Sequence, residues 1–70
     1  MTLAQLRRAQ GLRQIDLAQR LGVVQSRVSA IERTPLASLE WGTLRSYLEA
    51  LGVHAQITAT TTDGDPIRLG

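Results

Sequence analysis

The sequence predicts a mainly α-helical domain, four short helices closed by a C-terminal β strand or hairpin. Three observations predict it. Apolar residues recur at spacings of three and four through residues 3–51. Gly11, Gly22 and Gly52 stand just past the ends of those periodic segments, where a left-handed residue stops a helix. After Gly52 the apolar period drops from 3.6 to 2. Seventy residues make one small domain, and a chain of that size buries only about 60% of its unfolded surface. Without a disulfide or metal, dimerisation is the expected supplementary stabiliser.

Each element has its own signal. Thr2 and Gln5 have capping-box spacing, with Met1 and Leu6 placed as a hydrophobic staple, so a first helix starts at Thr2 and ends near Gln10. A second helix spans residues 14–21, with Leu17, Ala18 and Leu21 as its buried stripe, and Gly22 permits the turn that follows. A third spans 25–33, with Val28 and Ile31 inward, and Thr34-Pro35 breaks it. A fourth is expected over 38–51, capped by Ser38, with Trp41, Leu44, Tyr47, Leu48 and Leu51 on one stripe. Gly42 inside it costs about 1 kcal/mol against alanine.

Beyond Gly52, Val53, Ala55, Ile57 and Ala59 alternate with His54, Gln56, Thr58 and Thr60, the pattern of a half-buried strand. Residues 66–69 form a plausible return strand after Asp63-Gly64. A two-residue loop would set Ile67 and Leu69 opposite threonines. An odd loop sets them on the apolar face, opposite Thr61 and Ala59, so a loop of three or five residues with a left-handed Gly64 is expected. A lone hairpin is unstable. It must pack on Trp41 and the fourth helix or pair with a partner's hairpin. The chain divides into a helical domain over 1–52 and a β tail over 53–70, the tail with Trp41, Val53, Ala55, Ile57, Ala59 and Ile67 serving dimerisation.

Composition excludes much. There is no cysteine, so disulfides, thiolate metal sites and cysteine nucleophiles are out. His54 is the single histidine and has no second ligand, so no metal site is expected. No base is spaced beside a nucleophile on one face, so no catalytic residues and no cofactor are expected, and the protein reads as a non-enzyme. No apolar run spans a bilayer, and Met1 leads straight into a helix pattern without a signal peptide, so a cytoplasmic location is expected. Charge is uneven. Residues 1–39 hold six arginines against two acids, a local +4, and residues 40–70 hold two arginines against four acids, a local −2. An arginine-only basic half suggests an anionic partner.

The informative stretch is 14–33. Two helices joined over a turn of a few residues must nearly touch, and the small Ala18 suits that crossing. With Val28 and Ile31 inward, the outer face of the third helix shows Gln25, Ser26, Ser29, Ala30 and Arg33. A face free of acids and bulky aliphatics suits a major groove. Trp41 and Tyr47 are not interleaved with the arginines, so they read as core or dimer packing and not as base-stacking residues.

Gln14, Leu17-Ala18, Leu21-Gly22-Val23, Gln25-Ser26, Val28 and Ile31-Glu32 together resemble the lambda-repressor-like helix-turn-helix family, the Cro and xenobiotic-response-element type, over roughly residues 3–52. The resemblance implies that the helix over 25–33 is a recognition helix. It implies that Gln14 braces Gln25, which bonds an adenine edge; that Ser26 meets a base edge and Ala30 a thymine methyl; and that Arg27 and Arg33 flank the groove. It also implies a buried ion pair between Arg7 and Glu32, an orienting device that keeps Glu32 off DNA. The family prefers serine or threonine before its second and third helices, where this chain has Arg13 and Val24. Each missing cap costs about 1 kcal/mol, and Arg13 is expected to offer a phosphate contact instead. The segment 44–52 followed by a strand is similar to a subset that includes HigA-type antitoxins. The function implied is a homodimeric, sequence-specific transcriptional regulator, a repressor, on a pseudo-palindromic operator of double-stranded DNA at the bacterial nucleoid. The alternative is an antitoxin that also binds a small toxin protein.

Overall fold

Local capping sets where the helices begin. Thr2 Oγ1 accepts from the Gln5 amide at 3.1 Å while Gln5 Oε1 accepts from the Thr2 amide at 2.7 Å. This reciprocal cap starts α1 (Leu3–Ala9). Before α2 (Gln14–Leu21) the cap runs in one direction only: Asp16 Oδ2 accepts from the Arg13 amide at 2.8 Å. An acid in the first turn also suits the helix dipole. The Val24 side chain offers no acceptor to α3 (Gln25–Arg33). Between α2 and α3, Gly22 adopts φ 70° and the Val23 amide closes onto the Ala18 carbonyl at 3.0 Å. A Cβ on Gly22 would touch nothing within 4 Å, so the requirement there is conformational and not steric.

The computed structural model describes residues 1–69. After α3 comes a single 3-10 turn over Leu36–Ser38, then α4 (Trp41–Ala50) and two antiparallel strands, β1 (Ile57–Thr60) and β2 (Pro66–Leu69). The fourth helix therefore starts later than its apolar spacing predicts, and Ser38 does not cap it. Pro35 leads into the tight turn, in which the Ser38 amide donates to the Pro35 carbonyl at 2.8 Å. Leu39 and Glu40 are then extended, which turns Leu39 onto the core before α4 begins.

The core lies where α2 meets α3 and α4. Leu17, Val28 and Tyr47 are completely buried, and Ala18, Ile31 and Leu51 nearly so. Complete burial of a leucine or valine contributes about 2 kcal/mol each. Leu3, Leu6, Leu12, Leu21, Leu39, Leu48 and Val53 pack around this centre. Arg20 Nη1 donates to the Ala50 carbonyl at 2.9 Å and ties α2 to the end of α4.

The β segment is shorter than the alternation predicts. Residues 53–56 are unpaired and β1 begins only at Ile57. Val53 is held by helix-end geometry: Gly52 is left-handed, and the Val53 amide bonds back to the Leu48 carbonyl at 3.0 Å. The loop between the strands has five residues, with Gly64 at φ 89°. Ile57 pairs with Leu69 and Ala59 with Ile67, two positions along from the partners a three-residue loop would give. The shift is an even number, so the same face stays apolar. Ile57, Ala59, Ile67 and Leu69 share that face, and the three large ones remain 37–49% exposed. The whole measures 44 × 21 × 21 Å. No helix is long and apolar enough to cross a membrane among the described residues.

Candidate nucleic-acid interface

The outer face of α3 is built from its start. Gln25, Ser26 and Arg33 are exposed, and Ser29 and Ala30 are half-buried along its flank. No acid interrupts this face: Glu32 is rotated inward, with its side chain only 5% exposed. Arg33 Nη1 donates to Ser29 Oγ at 3.0 Å, one turn back. Arg27 lies on the opposite flank from Gln25. It lines a groove with Leu21, Val23, Ile31 and Glu40, between α3 and the start of α4. Arg13 is exposed and bonds Asp16 with part of its guanidinium, its Nη2 donating to Asp16 Oδ1 at 2.9 Å and its Nε to Oδ2 at 3.1 Å. That contact, with the Arg13 amide, holds the Asp16 carboxyl down at about 2.

Behind the face lies a polar network in the core. Arg7 Nε donates to Glu32 Oε2 at 2.7 Å and its Nη2 to Oε1 at 3.2 Å. The remaining Arg7 donor, Nη1, reaches the Leu12 carbonyl at 2.8 Å and anchors the loop between α1 and α2. The Tyr47 hydroxyl lies 2.6 Å from Glu32 Oε2 and 3.2 Å from the Leu3 carbonyl oxygen. Its single proton goes to the carboxylate, the charged and closer acceptor. Gln14 Nε2 donates to Glu32 Oε1 at 3.0 Å, and Gln14 Oε1 accepts from Gln25 Nε2 at 3.4 Å. One connected chain of bonds thus runs from α1 and α4, through Glu32, to the exposed start of α3.

The electrostatics follow from these contacts. Burial pushes the Glu32 carboxyl up, but donors from Arg7, Tyr47 and Gln14 outweigh it and hold the group below the usual carboxylate range. Burial and the neighbouring Glu32 both push the Tyr47 phenol up. The hydrogen bond to Glu32 raises Arg7 against the opposing effect of burial. The carboxylate is charged and fully donated to, and no buried side-chain polar atom lacks a partner among the described residues. Replacing such an ion pair by apolar residues is often neutral for stability. Its effect here is to fix how α1, α3 and α4 sit relative to one another.

Sequence reasoning places Tyr47 in the core and misses its hydroxyl. The signal was available, because a buried phenol needs an acceptor and Glu32 is the inward acid on the neighbouring helix. The link from Gln14 to Glu32 was also missed, as was the Arg20 bond to α4. Both cross between elements far apart in the chain, and no local spacing announces them. Of the tail residues singled out above, Val53 packs on its own chain's core. Trp41 is half-buried and lines a recess beside α4 with His54, Arg68 and Leu69. Ile57, Ala59 and Ile67 stand on the open apolar face.

Comparison with known proteins yields a consistent set. The chain is 48% identical over 58 residues to the candidate antitoxin HigA3 of Mycobacterium tuberculosis, a match covering 81% of this chain and 53% of that protein. It is 43% identical over 61 residues to the candidate antitoxin HigA2 of the same organism, covering 87% of this chain and 60% of that one. The chain therefore spans little more than half the length of these curated relatives. Among solved structures, one described as DNA-bound antitoxin HigA3 superposes with a TM-score of 0.91 at 41% identity, over 100% of this chain and 90% of that one. Another, described as showing induced DNA bending by unique dimerization of HigA antitoxin, gives a TM-score of 0.85 at 42% identity, over 97% and 90%. Residues 1–60 match the family described as helix-turn-helix domain. With most of its length inside that match, the chain belongs to the helix-turn-helix domain family.

Proposed function

We propose that the protein is a sequence-specific DNA-binding regulator, not an enzyme, which acts as a homodimeric repressor on a pseudo-palindromic operator. The observation that carries the reading is the exposed, acid-free outer face of α3, where Gln25 is held by Gln14 beside Ser26 at the start of the helix and Arg33 stands exposed at its end. Gln25 offers a donor and an acceptor side by side, which an adenine edge complements. Ala30 meets a thymine methyl, Ser29 adds a polar contact along the groove wall, and Arg33 reaches a phosphate or guanine. Arg27 reaches the backbone from the opposite flank. Arg13 contributes to phosphate binding through Nη1, which takes no part in its bond to Asp16. The description of one close structural neighbour as bound to DNA supports this reading.

Residues 1–52 form the DNA-binding domain in this reading, and 53–70 the dimerisation tail. The exposed apolar face of Ile57, Ala59, Ile67 and Leu69 supports that assignment, since a two-stranded ribbon is not stable in isolation. The description of a second neighbour as dimerising supports the homodimer. Two recognition helices related by a two-fold axis then read half-sites about one helical turn apart.

A second reading is favoured by the relatives themselves, both described as candidate antitoxins. The same chain then binds a small toxin protein as well as its operator. Gel-shift titration on a duplex from its own promoter, at two salt concentrations, tests the first reading. The expected result is retarded bands whose affinity falls as salt rises. A chain that shifts no duplex at low salt contradicts it. Co-expression with the neighbouring small reading frame tests the second, and a stable co-purifying complex is its expected outcome.

A further inference from the structure

We propose that Glu32 is a specificity-determining residue: as an obligate acceptor it fixes the direction of two side-chain amides and so dictates which edge Gln25 presents to a base pair. This rests on the DNA-reading role proposed for α3. A glutamine amide has two chemically different ends of the same shape, so an isolated one flips at little cost. A carboxylate has no donor end. Glu32 Oε1 therefore takes the nitrogen of Gln14 at 3.0 Å and turns its oxygen outward. That oxygen can only take the nitrogen of Gln25, which it does at 3.4 Å. Gln25 is left with its oxygen and its second N–H facing away from the protein, in one fixed order.

Adenine presents an N7 acceptor beside an N6 donor in the major groove, also in one fixed order. The polarity that Glu32 sets is thus passed through Gln14 to the readout. Arg7 and Tyr47 keep the source of this polarity in place, because both donate to Glu32 and hold it as a carboxylate. The last link, from Gln14 to Gln25, is the longer of the two amide contacts and so the one most open to perturbation.

The experiment uses the full chain and a panel of duplexes varied at the base pair whose discrimination Gln25→Ala removes. The wild type is expected to prefer its best base there by about tenfold or more. Gln14→Met keeps side-chain length and leaves the Arg7, Glu32 and Tyr47 contacts intact, but removes both ends of the relay. Its preference is expected to fall to about twofold or less, with affinity for an unrelated duplex within about twofold of wild type. Glu32→Gln, checked for folding by circular dichroism, is expected to lose the same preference. A Gln14→Met protein that keeps the full preference overturns the relay, as does one that loses affinity for every duplex equally. A wild type with no preference at any position removes the DNA-reading role itself, a result distinguishable from failure of the relay alone.

Discussion

Tyr47→Phe deletes one oxygen from the centre of the domain and leaves the ring that fills it. Tyr47 is completely buried, so the packing term is unchanged and only the bond to Glu32 is lost. A hydrogen bond to a charged group is worth about 1.5–3 kcal/mol. At 2.6 Å, and with the carboxylate left to Arg7 and Gln14, a loss of about 2 kcal/mol is expected. In a domain of this size that lowers the melting temperature by roughly 10 °C. Circular dichroism melts and urea unfolding at one fixed protein concentration measure it, since any dimer makes the midpoint concentration-dependent. The difference should shrink at acid pH. Once Glu32 is protonated, the wild type itself keeps only a neutral hydrogen bond of about 1 kcal/mol. Equal stability of wild type and variant at neutral pH, or a gap that widens on acidification, would refute the reasoning.

Further outcomes follow from other contacts. Glu32 and Asp16 are both held below their ordinary values, 4.5 and 3.8, with Asp16 at about 2. Their stabilisation is full above those ordinary values and lost as pH falls through the depressed ones, so urea midpoints should hold from pH 7 to about 5 and then decline. A midpoint that rises below pH 5 would contradict the assignment. At the alkaline end, Tyr47 is the sole tyrosine and its phenol is pushed up. Phenolate absorbance should therefore appear only well above the ordinary value of 10, and titration near 10 in the folded protein would show the hydroxyl to be free. Gly22→Ala meets no atom but must hold a left-handed backbone, and should cost about 1 kcal/mol with the fold unchanged. A neutral result would mean that the turn rearranges. Ile67→Lys places a charge on the open hairpin face and should shift sedimentation mass from dimer to monomer while leaving the helical circular dichroism intact. An unchanged mass would remove the hairpin from the interface.

The elements that were legible in the sequence are those set by short-range chemistry. Thr2 and Gln5 announce α1, and the bounds of α2 and α3 follow from apolar spacing and the glycine stop at Gly22. The start of α4 was not legible, because its apolar stripe fits equally well from Ser38. What decided it was the burial of Leu39 by the turn after Pro35, a tertiary demand. The alternation from Val53 to Ala55 likewise read as strand, but with no partner opposite them these residues stay unpaired, and Val53 follows the helix end instead. At the site, the face of α3 could be drawn from helical geometry alone. The polar network behind it could be drawn only in part, since Tyr47, Glu32 and Gln14 meet across three elements and their distances are properties of the folded chain.

The most direct test of the account is selection of duplexes from a random library by the purified protein, with Gln25→Ala run in parallel. Wild type should enrich an inverted repeat with half-sites about one helical turn apart, and the variant should lose information at one symmetric base pair and keep the rest. A wild-type selection with no enriched sequence, or a variant that enriches the same repeat unaltered, would contradict the claim that this helix reads DNA.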